Sequence, residues 1–273
     1  ILAKDGTPKI LEFNADTPTS LLEASVIQWQ WKEDVFPECD QFNGIHEGLV
    51  QSWKDIFPKK GEIHFAGALE NNEDTGTLQY LASTAMEAGF STRVLDMQAL
   101  DLQNGRFFDP AGELVNRCFK LYPWEWMVDE SPDGCLAEME WLEPIWKLVM
   151  SNKAILATLY ELFPDSPYVL PCYLSRPRSG LFCKKPVFSR EGHNVSVVDI
   201  RDWEEYVRIA ETEGDYNTGA YVYQEYAEPT AYSGRYPVIG SWIIGGEAAG
   251  IGIRENRMEV TDNLSEFVPH IIG

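Results

Sequence analysis

Glu12 and Asn14 stand two residues apart, flanked by apolar Leu11 and Phe13. In a strand, side chains repeat every two residues, so the carboxylate and the amide share one face. Two oxygen donors at that spacing suit Mg²⁺, which takes one or two protein oxygens and completes its shell with phosphate oxygens and water. The plainer alternative is a solvent-facing strand edge, the default place for outward polar residues.

Four further stretches carry candidate chemistry. Lys184-Lys185-Pro186-Val187-Phe188-Ser189-Arg190-Glu191-Gly192-His193-Asn194-Val195 reads as strand, polar turn with a glycine, and returning strand. Such a hairpin can fold over phosphates, because turn N–H groups make an anion-binding concavity and Lys185 adds a point charge. It can equally be an ordinary exposed hairpin. Gln224-Glu225-Tyr226 closes an apolar strand. Its backbone could pair with an adenine edge, or it could simply end the strand. Arg254 ends the glycine-containing strand Gly250-Ile251-Gly252-Ile253. Its forked guanidinium could clamp a transferring phosphoryl group, or pair with Glu255 or Asp262. Tyr122-Pro123-Trp124-Glu125-Trp126 could stack a substrate on its aromatics, but it reads better as domain-interface packing, since Trp buries a large area wherever it sits.

Composition narrows the classes. The 273 residues include 22 basic and 43 acidic ones, a net charge of −21. That argues against gripping nucleic acid, whose phosphates want Lys and Arg. It permits a cationic partner, and it permits ATP where a metal and a few local cations do the binding. Net charge by itself mostly reports on solubility. With 44% hydrophobic and 12% aromatic residues the chain can bury a core. Cys39, Cys118, Cys135, Cys172 and Cys183 are odd in number and widely spaced, so a reducing cytoplasm fits better than a disulfide framework or a zinc site. The four His are scattered. No apolar run approaches the roughly 20 residues that span a bilayer, so no membrane association is expected.

The elements that must position these residues read as follows. Residues 8–14 alternate as a strand, and Thr17-Pro18-Thr19-Ser20 is a loop whose hydroxyls can cap a helix over 21–31. A second amphipathic helix covers 42–57. Strand 63–69, helix 77–88 opened by Glu73-Asp74-Thr75-Gly76, and strand 91–95 form a βαβ unit, with Gly89 as the C′ glycine. A hairpin over 105–114 and a strand over 115–121 follow. Helices are expected over 143–150, 152–163 and 202–211. Strands are expected over 181–188, 195–198, 221–226, 238–244 and 248–253. The fold class is therefore α/β (α+β). Asp5-Gly6 marks a hairpin tip with Ile1-Leu2 alone before it, so a first strand is expected to be missing.

In combination these motifs resemble the glutathionylspermidine synthetase family, and most of all its stand-alone bacterial homologues. The residues that carry the resemblance are Leu11 to Ser20, Lys120 to Glu125, Ser151 to Leu156, Lys185 to Gly192, Gly240-Ser241-Trp242 and Ala249 to Glu255. The match runs over essentially the whole chain.

The resemblance implies an ATP-grasp fold in permuted order with an inserted pre-ATP-grasp α/β unit. Residues 1–58 would be the first part of the ATP-grasp and substrate region, 59–142 the pre-ATP-grasp-like unit, and 143–273 the nucleotide-binding region. It implies a ligase that uses ATP and Mg²⁺ to join a peptide-like carboxylate to an amine, polyamines being one candidate class, through an acyl phosphate. By resemblance, Glu12 and Asn14 are Mg²⁺ ligands, and Thr17, Thr19, Asp74 and Thr75 contact the acid substrate. Lys153, Lys185, Gly192, Gln224, Glu225 and Tyr226 bind nucleotide, and Arg254 is catalytic beside the transferred phosphoryl group. The family's Arg-x-Asp element before the Asp-Gly turn is absent, which puts the activity of the chain as it stands in question. Ser265-Glu266 does not match an amine-binding carboxylate, so the amine stays open. The rival expectation is a nucleotide-binding or regulatory module that keeps the fold without ligation.

Overall fold

The computed structural model describes residues 1–190, 192–202, 205–216, 219–258 and 265–273. Its contacts divide the chain into two compact units. One comprises 14–148, 241–252 and 269–273; the other comprises 1–13, 149–240 and 253–268.

The first unit is built on a parallel sheet. A helical run opens with a π-helical turn, Glu23–Ile27, and continues as α1 (Gln28–Val35). Then come α2 (Ile45–Ile56), β1 (Glu62–Gly67), α3 (Asn72–Glu87) and β2 (Ser91–Asp96). Strands β1 and β2 are parallel, so the expected βαβ unit is present. Gly89 has φ +92°, the left-handed value that ends a helix at C′. A small antiparallel sheet follows: β3 (Asp101–Gln103), β4 (Arg106–Phe108) and β5 (Leu114–Val115). β6 (Arg117–Leu121) returns to lie parallel beside β1. After α4 (Trp124–Glu130) and α5 (Pro132–Cys135), β7 (Glu140–Leu142) completes the sheet in the order β2-β1-β6-β7.

Both faces of this sheet are covered, so its central strands β1 and β6 are buried along nearly their whole length rather than alternating, His64 and Lys120 included. Trp53 of α2 packs edge-on against Phe65 of β1, and its indole N–H donates to Thr84 Oγ1 of α3 at 2.9 Å. On the other side Phe107, Val115, Cys118, Trp124, Met127 and Trp141 form a cluster. Trp124 is thus core of its own unit, which corrects the domain-interface expectation.

The second unit is mainly antiparallel. The short α6 (Lys147–Ser151) leads into it and is followed by α7 (Ile155–Leu162) and β8 (Cys172–Tyr173). Next come β9 (Gly180–Pro186), β10 (Ser196–Ile200), β11 (Tyr206–Glu211) and β12 (Tyr221–Glu225). The five strands run in the order β11-β10-β9-β12-β8. α7 packs on this sheet through Leu156 and Ala157, against Cys172 and Val222. A further sheet has the order β13-β14-β15, from β13 (Tyr236–Ile244), β14 (Glu247–Asn256) and β15 (Glu266–Val268). β14 pairs antiparallel with β15.

Two expectations are corrected. Residues 206–211 are strand rather than helix, and 203–204 lie outside the described residues. Tyr206, Val207 and Ile209 favour a pleated surface, and β10 supplies the pairing partner. Residues 9–14 form no strand; the region contributes an isolated bridge, Leu2 to Pro8. The carbonyls of Ile10 and Leu11 are instead taken by side chains of Gln224 and Lys185. A ladder needs those groups for a neighbouring backbone.

Candidate active site

Four of the expected site residues are in direct contact as two pairs, Lys185 with Gln224 and Lys153 with Glu12, all within the antiparallel unit. Lys185 projects from β9 and is buried. Its Nζ donates to Gln224 Oε1 at 2.8 Å and to Leu11 O at 3.1 Å. Gln224, buried on neighbouring β12, donates through Nε2 to Ile10 O at 2.9 Å. Lys153 precedes α7 and is also buried. Its Nζ donates to Ser189 O at 2.7 Å and lies 3.1 Å from Glu12 Oε2. Its backbone N–H donates to Val187 O at 2.9 Å, which fastens the helix start to the end of β9.

Burial lowers the Lys185 pKa below the usual lysine range, the Lys153 charge adds to this, and Glu12 opposes it. Two buried ammonium groups beside a half-exposed carboxylate make a locally cationic place in an acidic chain. Such a place favours an oxyanion, because an anion would relieve the cost of holding both charges.

The other residues expected on the nucleotide side stand at other points of the same unit. Gly192 has φ +70°, a value that favours glycine in the β9–β10 turn. The turn is braced from residues 212–216: Thr212 Oγ1 donates to Gly192 O, Asn194 Nδ2 to Gly214 O at 2.9 Å, and Tyr216 N to Asn194 Oδ1 at 2.7 Å. Glu191 lies outside the described residues. Glu225 is exposed, its N–H donating to Pro171 O at 2.7 Å, and Tyr226 N–H donates to Leu181 O at 3.0 Å. Arg254 stands on β14 opposite Phe267 and donates through Nη2 to Ser265 O at 3.3 Å. Asp262, its alternative partner, lies outside the described residues.

Asn14, Thr17, Thr19, Asp74 and Thr75 belong to the parallel-sheet unit. Asp74 and Thr75 occupy the first turn of α3, beyond the carboxyl end of β1. Asn71 caps that helix by accepting from Glu73 N at 2.9 Å, and Thr75 Oγ1 donates to Leu69 O at 3.1 Å. Thr17 is half-buried and Thr19 exposed. Ser20 next to them holds φ 60°, a left-handed conformation uncommon for a residue with a Cβ. Gly76, just after the first turn of α3, faces the start of the helical run that follows the loop: a Cβ placed on it would sit 3.1 Å from Leu22 Cδ1.

The sequence reading did not single out Asp16 and Lys120, which turn out to be buried and bonded to each other. The available signal was a lysine between Phe119 and Leu121 in an otherwise apolar strand.

Among the described residues, no group of three or more His, Cys, Asp or Glu could hold a metal ion. Glu12 and Asn14 belong to different units, and residues 9–14 form no strand, so the strand face they were expected to share is not formed. No helix among the described residues is long and apolar enough to cross a membrane.

Known proteins share this architecture. A relative from Haemophilus influenzae bearing the name acid–amine ligase is 38% identical over 276 residues, covering 96% of this chain and 70% of its own. Trypanothione synthetase of Crithidia fasciculata is 28% identical over 292 residues; the match covers 95% of this chain but 44% of that protein, so the chain spans less than half its length. Among solved structures, a glutathione synthetase-like effector from Globodera pallida matches with a TM-score of 0.58 at 10% identity, over 100% of this chain and 74% of that one, a likeness of fold. The profile of the family described as glutathionylspermidine synthase preATP-grasp matches residues 2–273. With the profile spanning nearly every residue on both units, the chain belongs to the glutathionylspermidine synthase preATP-grasp family.

Proposed function

We propose that this chain acts in an ATP- and Mg²⁺-dependent ligase that forms an amide between a peptide-like carboxylate and an amine, with polyamines one candidate class. The observation that carries the reading is the meeting of buried Lys153 and Lys185 around Glu12, in a chain of this family. Region 143–273 would bind nucleotide, 59–142 would be the pre-ATP-grasp-like unit, and the cytoplasm would be its compartment.

In this reading Lys153 and Lys185 hold phosphate oxygens by charge, and Gln224 orients Lys185. Gly192 lets the β9–β10 turn approach the phosphates, and Gln224 to Tyr226 border the base. Thr17, Thr19, Asp74 and Thr75 hold the acid. Mg²⁺ held by Glu12 and Asn14 would neutralise charge on phosphate oxygens. A carboxylate oxygen of the acid attacks the γ-phosphorus of ATP, and the bond to ADP breaks. Arg254 stabilises the charge on the phosphoryl group in flight. The amine nitrogen then attacks the acyl carbon, the carbon–oxygen bond to phosphate breaks, and the nitrogen loses a proton.

The test is ADP release by the full-length protein, supplied with panels of peptide acids and polyamines. Release should depend on the amine, and Arg254→Ala should lower it by about 10²–10³-fold. Absence of turnover with every acid and amine sinks the ligase reading. Nucleotide binding without turnover would favour a nucleotide-binding or regulatory module instead.

A further inference from the structure

Asp16 and Lys120 are both 0% exposed, so neither can touch a bound substrate from solvent. Asp16 lies between Asn14 and Thr17. Its Oδ1 accepts from Lys120 Nζ, and its Oδ2 accepts from the Trp124 backbone N–H at 2.8 Å. Lys120 also donates to Tyr122 O at 3.0 Å, and its ammonium lies 4.4 Å from the centre of the Trp124 ring. Lys120 is near the carboxyl end of β6, paired in register with Ala66 of β1.

A buried ion pair is a poor device for stability alone, because well-packed apolar residues of like volume often serve as well or better. What the pair adds is direction. Two bonds from different elements fix both oxygens of one carboxylate, and so fix the chain at residue 16. The place is also informative. β1 leads through α3 to β2 on one side, while β6 lies on its other side. In open α/β sheets, the crevice beyond the carboxyl ends at such a reversal is where ligands bind. The first turn of α3, with Asp74 and Thr75, rises from the end of β1 there. The loop with Thr17 and Thr19 is tied to β6 and the start of α4 by Asp16.

We propose that the buried Lys120–Asp16 pair is the positioning element of the acid-binding segment, holding Thr17 and Thr19 against the Asp74–Thr75 turn at the carboxyl edge of β1 and β6. The functional half of this proposal rests on the ligase reading above. The anchoring half does not.

Two variants of the full-length protein test it, each with two readouts. Asp16→Asn keeps size but puts an NH₂ or a single oxygen where two acceptors are needed. Lys120→Met/Asp16→Asn removes both buried charges, so an ion-pair penalty cannot explain its behaviour. Amide hydrogen exchange across residues 14–22 should speed up by about tenfold or more in both, while α2 and β1 stay protected. With glutathione as probe acid and spermidine as probe amine, KM for the acid should rise about tenfold or more, with KM for ATP and kcat within about threefold. Wild-type exchange across 14–22 in either folded variant overturns the anchoring. Faster exchange with an unchanged acid KM overturns the positioning role. If the wild type turns over neither probe, glutathione protection of 14–22 from exchange is read instead; protection that survives in both variants overturns the positioning role. Failure of the ligase reading shows separately, as absence of ADP release from wild-type protein with the broad panels.

Discussion

Lys185 and Gln224 tie three chain segments together: the lysine Nζ donates to Gln224 Oε1 at 2.8 Å, and Gln224 Nε2 donates to Ile10 O at 2.9 Å. The amide faces the ammonium with its acceptor and the chain with its donor. A neutral partner leaves the lysine charge uncompensated by that contact, which suits a group that must meet an incoming anion.

The Lys185 charge should therefore be visible as proton linkage. Burial lowers its pKa below the ordinary lysine value. Between the two values the unfolded chain holds more protons than the folded one, so stability rises with pH across that window. Nucleotide phosphates favour the charged form, so ATP binding should take up protons in the same window. Calorimetry in buffers of different ionisation enthalpy measures the uptake. Lys185→Met should abolish it and weaken binding by about 10–100-fold. Persistent uptake in the variant would assign the proton to another group.

Glu12→Gln should separate chemistry from stability. The Glu12 side chain is 42% exposed in its pair with Lys153. Lys153 is buried but keeps its bond to Ser189 O, and Gln still offers it an oxygen, so the loss should be about 1 kcal/mol and the melting temperature should fall by only a few degrees. In the proposed role of Glu12 toward Mg²⁺, the same change should instead cut Mg²⁺-dependent ADP release by about 10²-fold. Thermal melting beside a Mg²⁺ titration decides; a large drop in stability would make Glu12 structural.

Gly67→Ala should destabilise the parallel sheet. A Cβ there would sit 2.9 Å from Leu78 Cδ1 and 3.0 Å from Leu121 O, and the carbonyl cannot swing away without moving β6. Overpacking of this kind costs about 1–3 kcal/mol, measurable by urea titration. A neutral effect would show that α3 can lift off the sheet cheaply.

His64 should make the protein sensitive to acid. It is buried on β1, 3.5 Å from Glu62 and 3.9 Å from Asp109. Burial lowers its pKa, with Arg93 adding and the two carboxylates opposing. The unfolded chain then binds the extra proton first, so stability falls as pH drops below about 6.5 toward the lowered value. His64→Gln should flatten the pH dependence of unfolding in that window. A slope as steep as that of the wild type would place the acid sensitivity elsewhere.

The βαβ unit was legible because its signals are local. An apolar run, a capped helix and Gly89 at C′ each act within a few residues. Residues 206–211 were not, because the segment becomes a strand only when β10 offers it an edge, a pairing distant from its local pattern. The stretch 9–14 failed for a related reason: its alternation is genuine, but side chains from distant β9 and β12 took its carbonyls.

By itself, the sequence determined the α/β class, the family, and the residue types from which a phosphate-handling site could be assembled. These follow from local periodicity and from motifs in order along one chain. Tertiary structure alone decided that Lys153 and Lys185 share the neighbourhood of Glu12, and that Asp16 is locked to Lys120 across 104 positions. Burial and long-range bonding are properties of the packed chain. Those properties distinguish a solvated lysine from one that costs free energy to bury and so favours an anion.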